Sequence, residues 1–250
     1  MKNTDESRRE KMDGGELVIR SRFLTWLDNF WYHYKWHVIV VLFFLVIAVV
    51  GLVQCGTQNT DDAIVTFAGG YTLSGGEIEQ ISNVFSAIAP SKKDGEGKLS
   101  VGLNAYSIYT EEQLRALATD PDTKEYSPYA FQSAKQVNTN HIQNFSTYVE
   151  TGSSAVWLVS EYVYQYQNLS QLSVPLEEMF EELPAGAYDA YAIRLADTKL
   201  YQYYDALRVL PEDTLILMPK SFALWGESSN PEKYEMFRQI YGAIVEFETP

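Results

Sequence analysis

"AIVTFAGGYTLSGGEIEQISNVFSAIAP", residues 63–90, is the stretch that decides the fold. Residues 63–68 form a short apolar run with β-branched side chains, the pattern of a buried strand. Gly69-Gly70-Tyr71-Thr72-Leu73 reads as the loop leaving it. Ser74 and Glu77 stand three apart, the spacing of a capping box, in which the serine hydroxyl takes a helix N–H and the glutamate reaches back to the serine N–H. Ile78, Ile81, Val84, Phe85 and Ile88 then recur at helical spacing up to Pro90. A polar turn with Gly95 and Gly97 precedes a second strand over residues 99–106. Strand, helix and strand with a connection this long imply a parallel, right-handed βαβ unit.

Upstream, residues 30–56 read "FWYHYKWHVIVVLFFLVIAVVGLVQCG". Residues 38–53 are 16 consecutive positions without a charged or amide side chain, and residues 36–55 extend the stretch to 20. At ~1.5 Å rise per residue, about 20 residues cover the ~30 Å hydrocarbon core of a bilayer. A core helix of a soluble domain keeps a polar stripe; here Val38, Val41, Phe44, Ile47 and Val50 are apolar, and so is everything between them. A transmembrane helix is therefore expected. A cleaved signal peptide has a short charged start and a small-x-small site. This run follows 35 polar and amphipathic residues, and Gln54 precedes Cys55 where a lipoprotein signal has a small residue, so an uncleaved signal anchor is the expectation.

Residues 1–35 hold seven Lys/Arg, whereas the first cation after the apolar run is Lys92, so the positive-inside rule places the N-terminus in the cytoplasm. The expected organisation is a cytoplasmic tail (1–22), an interfacial amphipathic helix (23–35), a membrane span (36–55), a linker (56–62) and an extracytoplasmic α/β domain (63–250). Phe23, Trp26, Leu27, Phe30, Trp31 and Tyr34 form the apolar side of the interfacial segment, with Asp28 and Asn29 opposite. The chain is thus read as a single-pass protein of the cell membrane.

Six of the 33 acids and seven of the 19 cations precede residue 57, leaving 27 and 12 in the outer domain, a net charge of −15. Such a surface repels nucleic acid and anionic headgroups. The single cysteine, Cys55, rules out an internal disulfide, so the domain must be held by its own core. Tyrosine is abundant at 18, which suits both strands and recognition surfaces.

Further along, Thr110-Glu111-Glu112-Gln113 starts a helix, residues 120–128 read as a loop, and residues 131–150 as a helix with Val137, His141, Phe145, Tyr148 and Val149 roughly on one face. Thr151-Gly152 ends that helix. Residues 155–159 form a third strand, residues 176–183 an acidic helix, and residues 190–195 and 214–218 two more strands. Pro231 opens an amphipathic helix to residue 246. Alternating strands and helices give an α/β domain.

The order of helix, Gly152, strand "AVWLVSEYVYQYQ", acidic "LEEMFEELP", strand "AYAIRLADTKL" and late strand "LPEDTLILMP" resembles the second half of bacterial extracytoplasmic solute-binding proteins of the type II periplasmic-binding-like kind, over roughly residues 131–220. The resemblance implies a reduced version of that fold, a cleft for a small polar ligand reached by the end of the third strand, and a membrane-protein partner such as a transporter. The chain departs from the family in being shorter than a two-lobed receptor and in carrying a transmembrane tether. An accessory or interaction subunit of an envelope or transport complex, with no small ligand, is the alternative expectation.

Catalytic and cofactor signatures are missing from the sequence. Gly69-Gly70 and Gly75-Gly76 lack the lysine and spacing of a phosphate loop. His33 and His37 have no further ligands near them, and Asp120-Pro121-Asp122-Thr123-Lys124 puts a lysine where a calcium loop needs oxygen. His141, the only histidine beyond the apolar run, reads as a packed or hydrogen-bonded residue. No enzyme, metal or cofactor is therefore expected. In open α/β sheets ligands bind beyond strand C-terminal ends. That rule points to Gly69, Gly70, Tyr71 and Ser74, and a cleft like that of the resembling family implies these on one wall and Ser160, Glu161 and Tyr162 on the other, for a zwitterionic or neutral ligand.

Overall fold

The computed structural model describes residues 22–57, 61–92, 95, 97–184, 186–221 and 227–249, and the chain divides into two units, Met1–Asn59 and Thr60–Pro250. Among the described residues, the first unit contains one element, α1 (Arg22–Thr57). The interfacial segment and the span expected at residues 23–35 and 36–55 are one uninterrupted helix, because no proline or glycine occurs between Arg22 and Val50 to break it. Its 36 residues rise about 54 Å at ~1.5 Å each, more than the ~30 Å of hydrocarbon. The stretch Phe30–Ile47 is long and apolar enough to cross a membrane, and none of it is buried. A helix of this kind near the N-terminus is equally that of an anchor or a signal sequence. The expected tail up to residue 21 and linker residues 58–60 lie outside the described residues.

In the second unit the βαβ expectation is met. Strands β1 (Ala63–Gly69) and β2 (Val101–Ser107) pair in parallel, from Ala63 opposite Val101 to Gly69 opposite Ser107, and α2 (Gly75–Ile88) connects them. The Ser74–Glu77 capping box is formed. The chain then runs through α3 (Glu111–Leu117) and α4 (Pro128–Glu150) to β3 (Val156–Ser160), which lies parallel to β1 on its other side. After α5 (Glu161–Tyr166) come β4 (Ala192–Arg194), α6 (Lys199–Tyr203), β5 (Thr214–Leu217) and α7 (Pro231–Val245). β5 inserts antiparallel between β3 and β4, so the sheet order is β2-β1-β3-β5-β4.

Alternation along the strands divides the core into two layers. Val65, Phe67, Val156, Leu158 and Ile216 meet Ile81 and Phe85 of α2 and Phe237, Ile240 and Ile244 of α7 on one face. Ala68, Trp157, Val159, Leu215 and Leu217 meet Phe145 and Val149 of α4 and Val163 of α5 on the other. Helices therefore cover both faces, which is why the strands read as continuous apolar runs. A third cluster, Leu114, Ala118 and Phe131, joins α3 to α4.

The acidic helix expected over residues 176–183 is instead a single 3-10 turn, Leu176–Glu178. Glu177 and Glu181, like Glu178 and Glu182, would stand four apart on a helix and repel. Leu176 N–H instead bonds the Ala190 carbonyl, so the segment lies against the chain entering β4.

Candidate functional site

The parallel strands end side by side. Gly69 is opposite Ser107, and a Cβ placed on Gly69 would lie 3.4 Å from the Ser160 Cβ. From β1 the chain turns to α2 on one face of the sheet, and from β3 it turns to α5 on the other. Gly69 and Ser160 thus flank the topological switch point, the place where open α/β sheets commonly bind ligands.

At this switch point the polar groups named from sequence bind one another. Ser74 Oγ donates to Glu77 Oε2 at 2.7 Å, Ser74 N–H donates to the same oxygen at 2.7 Å, and Tyr71 OH donates to Glu77 Oε1 at 3.1 Å. These donors, the Ser74 N–H first, hold the Glu77 carboxyl below its ordinary value, and the same contact raises the Tyr71 phenol. Ser160 Oγ caps α5 by accepting from Val163 N–H at 3.3 Å. Glu161 accepts from Tyr188 OH at 2.5 Å, and Tyr162 stacks on Tyr166 with ring centroids 5.5 Å apart. The bare backbone of Gly70 is covered by the Gln113 side chain, whose amide nitrogen would be 2.5 Å from any Cβ there. Gln113 is itself fixed as the far half of the α3 capping box with Thr110.

Beside the switch point, above the ends of β1 and β2, lies a groove of about 510 Å³. Its walls are Leu114 and Leu117 of α3 and Tyr129, Ala134 and Val137 of α4, and its floor is Thr72, Ser107, Tyr109 and His141. Among the described residues no Lys, Arg, Asp or Glu lines it, although the chain carries a net charge of −14. Leu117, Tyr129 and Val137 are 60%, 86% and 52% exposed, so the wall is bare. A volume in the range of ~300–1,000 Å³ with apolar walls and a few convergent polar atoms is typical of small-molecule sites.

The floor is built from three directions. Asn138, only 7% exposed, accepts from Tyr109 N–H at 2.8 Å and donates to Tyr109 O at 3.1 Å, which clamps the loop after β2 to α4. Ile108 N–H bonds the Gly69 carbonyl at 2.8 Å and ties that loop to β1. Thr72 Oγ1 donates to Ser107 Oγ at 2.9 Å and lies 2.7 Å from Tyr109 OH. A threonine hydroxyl has one proton, and Thr72 gives it to Ser107, so Tyr109 is the donor to Thr72. The chain of hydroxyls runs Tyr109 to Thr72 to Ser107, and the Ser107 proton has no acceptor among the described residues. His141 Nδ1 is 2.9 Å from the Ser107 carbonyl, which can only accept. The ring therefore carries its proton on Nδ1, and in the neutral form Nε2 remains an acceptor.

Sequence reasoning named Tyr71 and Ser74, which flank Thr72, but not Thr72, Ser107, Tyr109 or Asn138 themselves. His141 was read as a hydrogen-bonded structural residue, and its Nδ1 contact is of that kind. One signal was available for Asn138, a polar residue one position after Val137 and three before His141 on the same helix. Among the described residues, no group of three His, Cys, Asp or Glu side chains converges to hold a metal ion. Comparison of the chain with family models, with curated proteins and with solved structures returned no match to any of the three.

Proposed function

We propose that this chain is a membrane-anchored ligand-binding or sensing module, with α1 as the anchor and residues 63–250 as an extracytoplasmic domain resembling a reduced solute-binding protein. The observation that carries the reading is the uncharged groove over the ends of β1 and β2, with bare apolar walls and a floor of preorganised hydroxyls. Catalysis needs a nucleophile or a general acid and base within reach of one another. Among the described residues, the groove offers a single histidine and no carboxylate. Binding is the function that fits this lining. The orientation rests on the seven cations before residue 36 and the absence of any between residues 36 and 91.

The exposed Leu117, Tyr129 and Val137 also favour a second reading. In it, the domain is an accessory subunit of an envelope or transport complex, and a partner protein such as a transporter covers the groove. Two measurements test the proposal. Protease added to intact cells or protoplasts should digest residues 57–250 and spare the N-terminal tail; protection of the large domain overturns the orientation. A thermal-shift screen of the full chain in detergent against small neutral and zwitterionic molecules should find compounds that raise the unfolding temperature. A protein partner that shifts it where no small molecule does favours the accessory subunit.

A further inference from the structure

Resting on the ligand-binding reading of the groove, we propose that its ligand is an uncharged amphiphile. The head of this molecule is a carbonyl or hydroxyl oxygen that accepts the Ser107 proton, and its apolar body lies against Leu114, Leu117, Tyr129 and Val137.

Three observations fix this class. The first is the absence of a counter-charge: among the described residues, no Lys, Arg, Asp or Glu lines the groove. A charged head placed there would lose hydration without gaining an ion pair, and an isolated ion in an apolar site is strongly disfavoured. The net charge of −14 adds long-range repulsion against an anion.

The second is the proton count. Tyr109 donates to Thr72 and Thr72 to Ser107, so at the floor of the groove the Ser107 hydroxyl proton is left to give, while the Tyr129 and Ser133 hydroxyls stand on the exposed α4 wall. His141 is fixed with Nδ1 as donor, which leaves Nε2 to accept. A ligand oxygen is matched to the first, and a ligand O–H or N–H to the second. A primary amide or an alcohol supplies both; a hydrocarbon supplies neither and leaves the Ser107 proton unpaired.

The third is rigidity. Asn138 grips both backbone groups of Tyr109, so the hydroxyl chain is held before any ligand arrives.

The test uses the full chain in detergent at pH 8 and four probes with one ring and different heads: phenylacetamide, phenylethanol, phenylacetate and phenylethylammonium. Binding is read by saturation-transfer NMR on the probe and by shifts of the Tyr109 and Thr72 amide signals. The amide and the alcohol are expected to bind at least about tenfold more tightly than the two ions. Ser107→Ala should narrow that preference about fivefold or more, while Leu117→Asp should abolish binding of the neutral probes.

Equal binding of all four probes, with Ser107→Ala without effect, overturns the proposed head recognition and leaves the ligand-binding reading standing. Binding that survives Leu117→Asp, or no probe binding at all, overturns both. Concentration-dependent shifts of the Tyr109 signal without a probe assign the groove to a second copy of the chain and overturn the small-ligand class.

Discussion

Two neighbouring places on the same edge of the sheet invite comparison: the switch point between β1 and β3, and the groove over β1 and β2. Both sit at strand C-terminal ends and both are rich in hydroxyls. At the switch point Ser74 pairs with Glu77, Ser160 with the start of α5 and Glu161 with Tyr188. Even the glycine at position 70 is covered, by Gln113. At the floor of the groove, the Ser107 hydroxyl proton and the His141 Nε2 have no partner among the described residues, beside a bare apolar wall. The difference teaches that residue types found at binding sites are also those that cap helices, and that unused hydrogen-bonding capacity beside exposed apolar surface separates the two roles.

The largest effect expected bears on what the two places share. Phe145 of α4 is fully buried and its ring lies 5.9 Å from that of Tyr106, next to Ser107. Phe145→Ala should lower stability by about 3–5 kcal/mol in denaturant unfolding, through lost burial and the cavity left behind. Amide exchange should quicken at Tyr109 and at Val163 alike; a change confined to one would show that the two regions unfold separately.

Asn138→Ala should cost about 1–3 kcal/mol, because it strands the Tyr109 N–H and carbonyl in a partly buried place. It should also weaken capture of neutral probes in the groove while leaving the Ser74 amide signal in place. A shift at both would break the separation drawn here.

Ser74→Ala removes a helix cap and should cost about 1 kcal/mol, read by thermal unfolding. Neutral-probe binding should not change. Loss of binding in this variant would return the ligand to the switch point.

The smallest effect is one of pH. Glu77 has its pKa held down by the Ser74 N–H and hydroxyl, so its contribution to the α2 start is complete above the ordinary glutamate value of about 4.3 and is lost as pH falls through its own lower value. Under acid titration by NMR, the Ser74 amide should move with Glu77. The Tyr109 amide, bound to the uncharged Asn138, should stay still over the same range.

The sequence by itself determined the local chemistry of this protein. The apolar run of α1, the Ser74–Glu77 box, the Pro231 start of α7 and the parallel β1–α2–β2 unit were all legible, because each depends on residues close together in the chain or on the spacing of apolar positions. The acidic segment at residues 176–183 misled, since apolar ends around four glutamates look helical when their mutual repulsion and the Ala190 contact are left out. Only the tertiary structure decided the antiparallel place of β5 and the groove. β5 is held by pairing with residues 58 and 23 positions away, Leu158 opposite Ile216 on one side and Ile193 opposite Ile216 on the other. The groove is made by Thr72, Ser107 and His141, which stand 35 and 34 residues apart and carry no spacing that a chain can display. Whether a hydroxyl proton is used or left over depends on which side chains meet in space, and that is settled by packing the helices on the sheet.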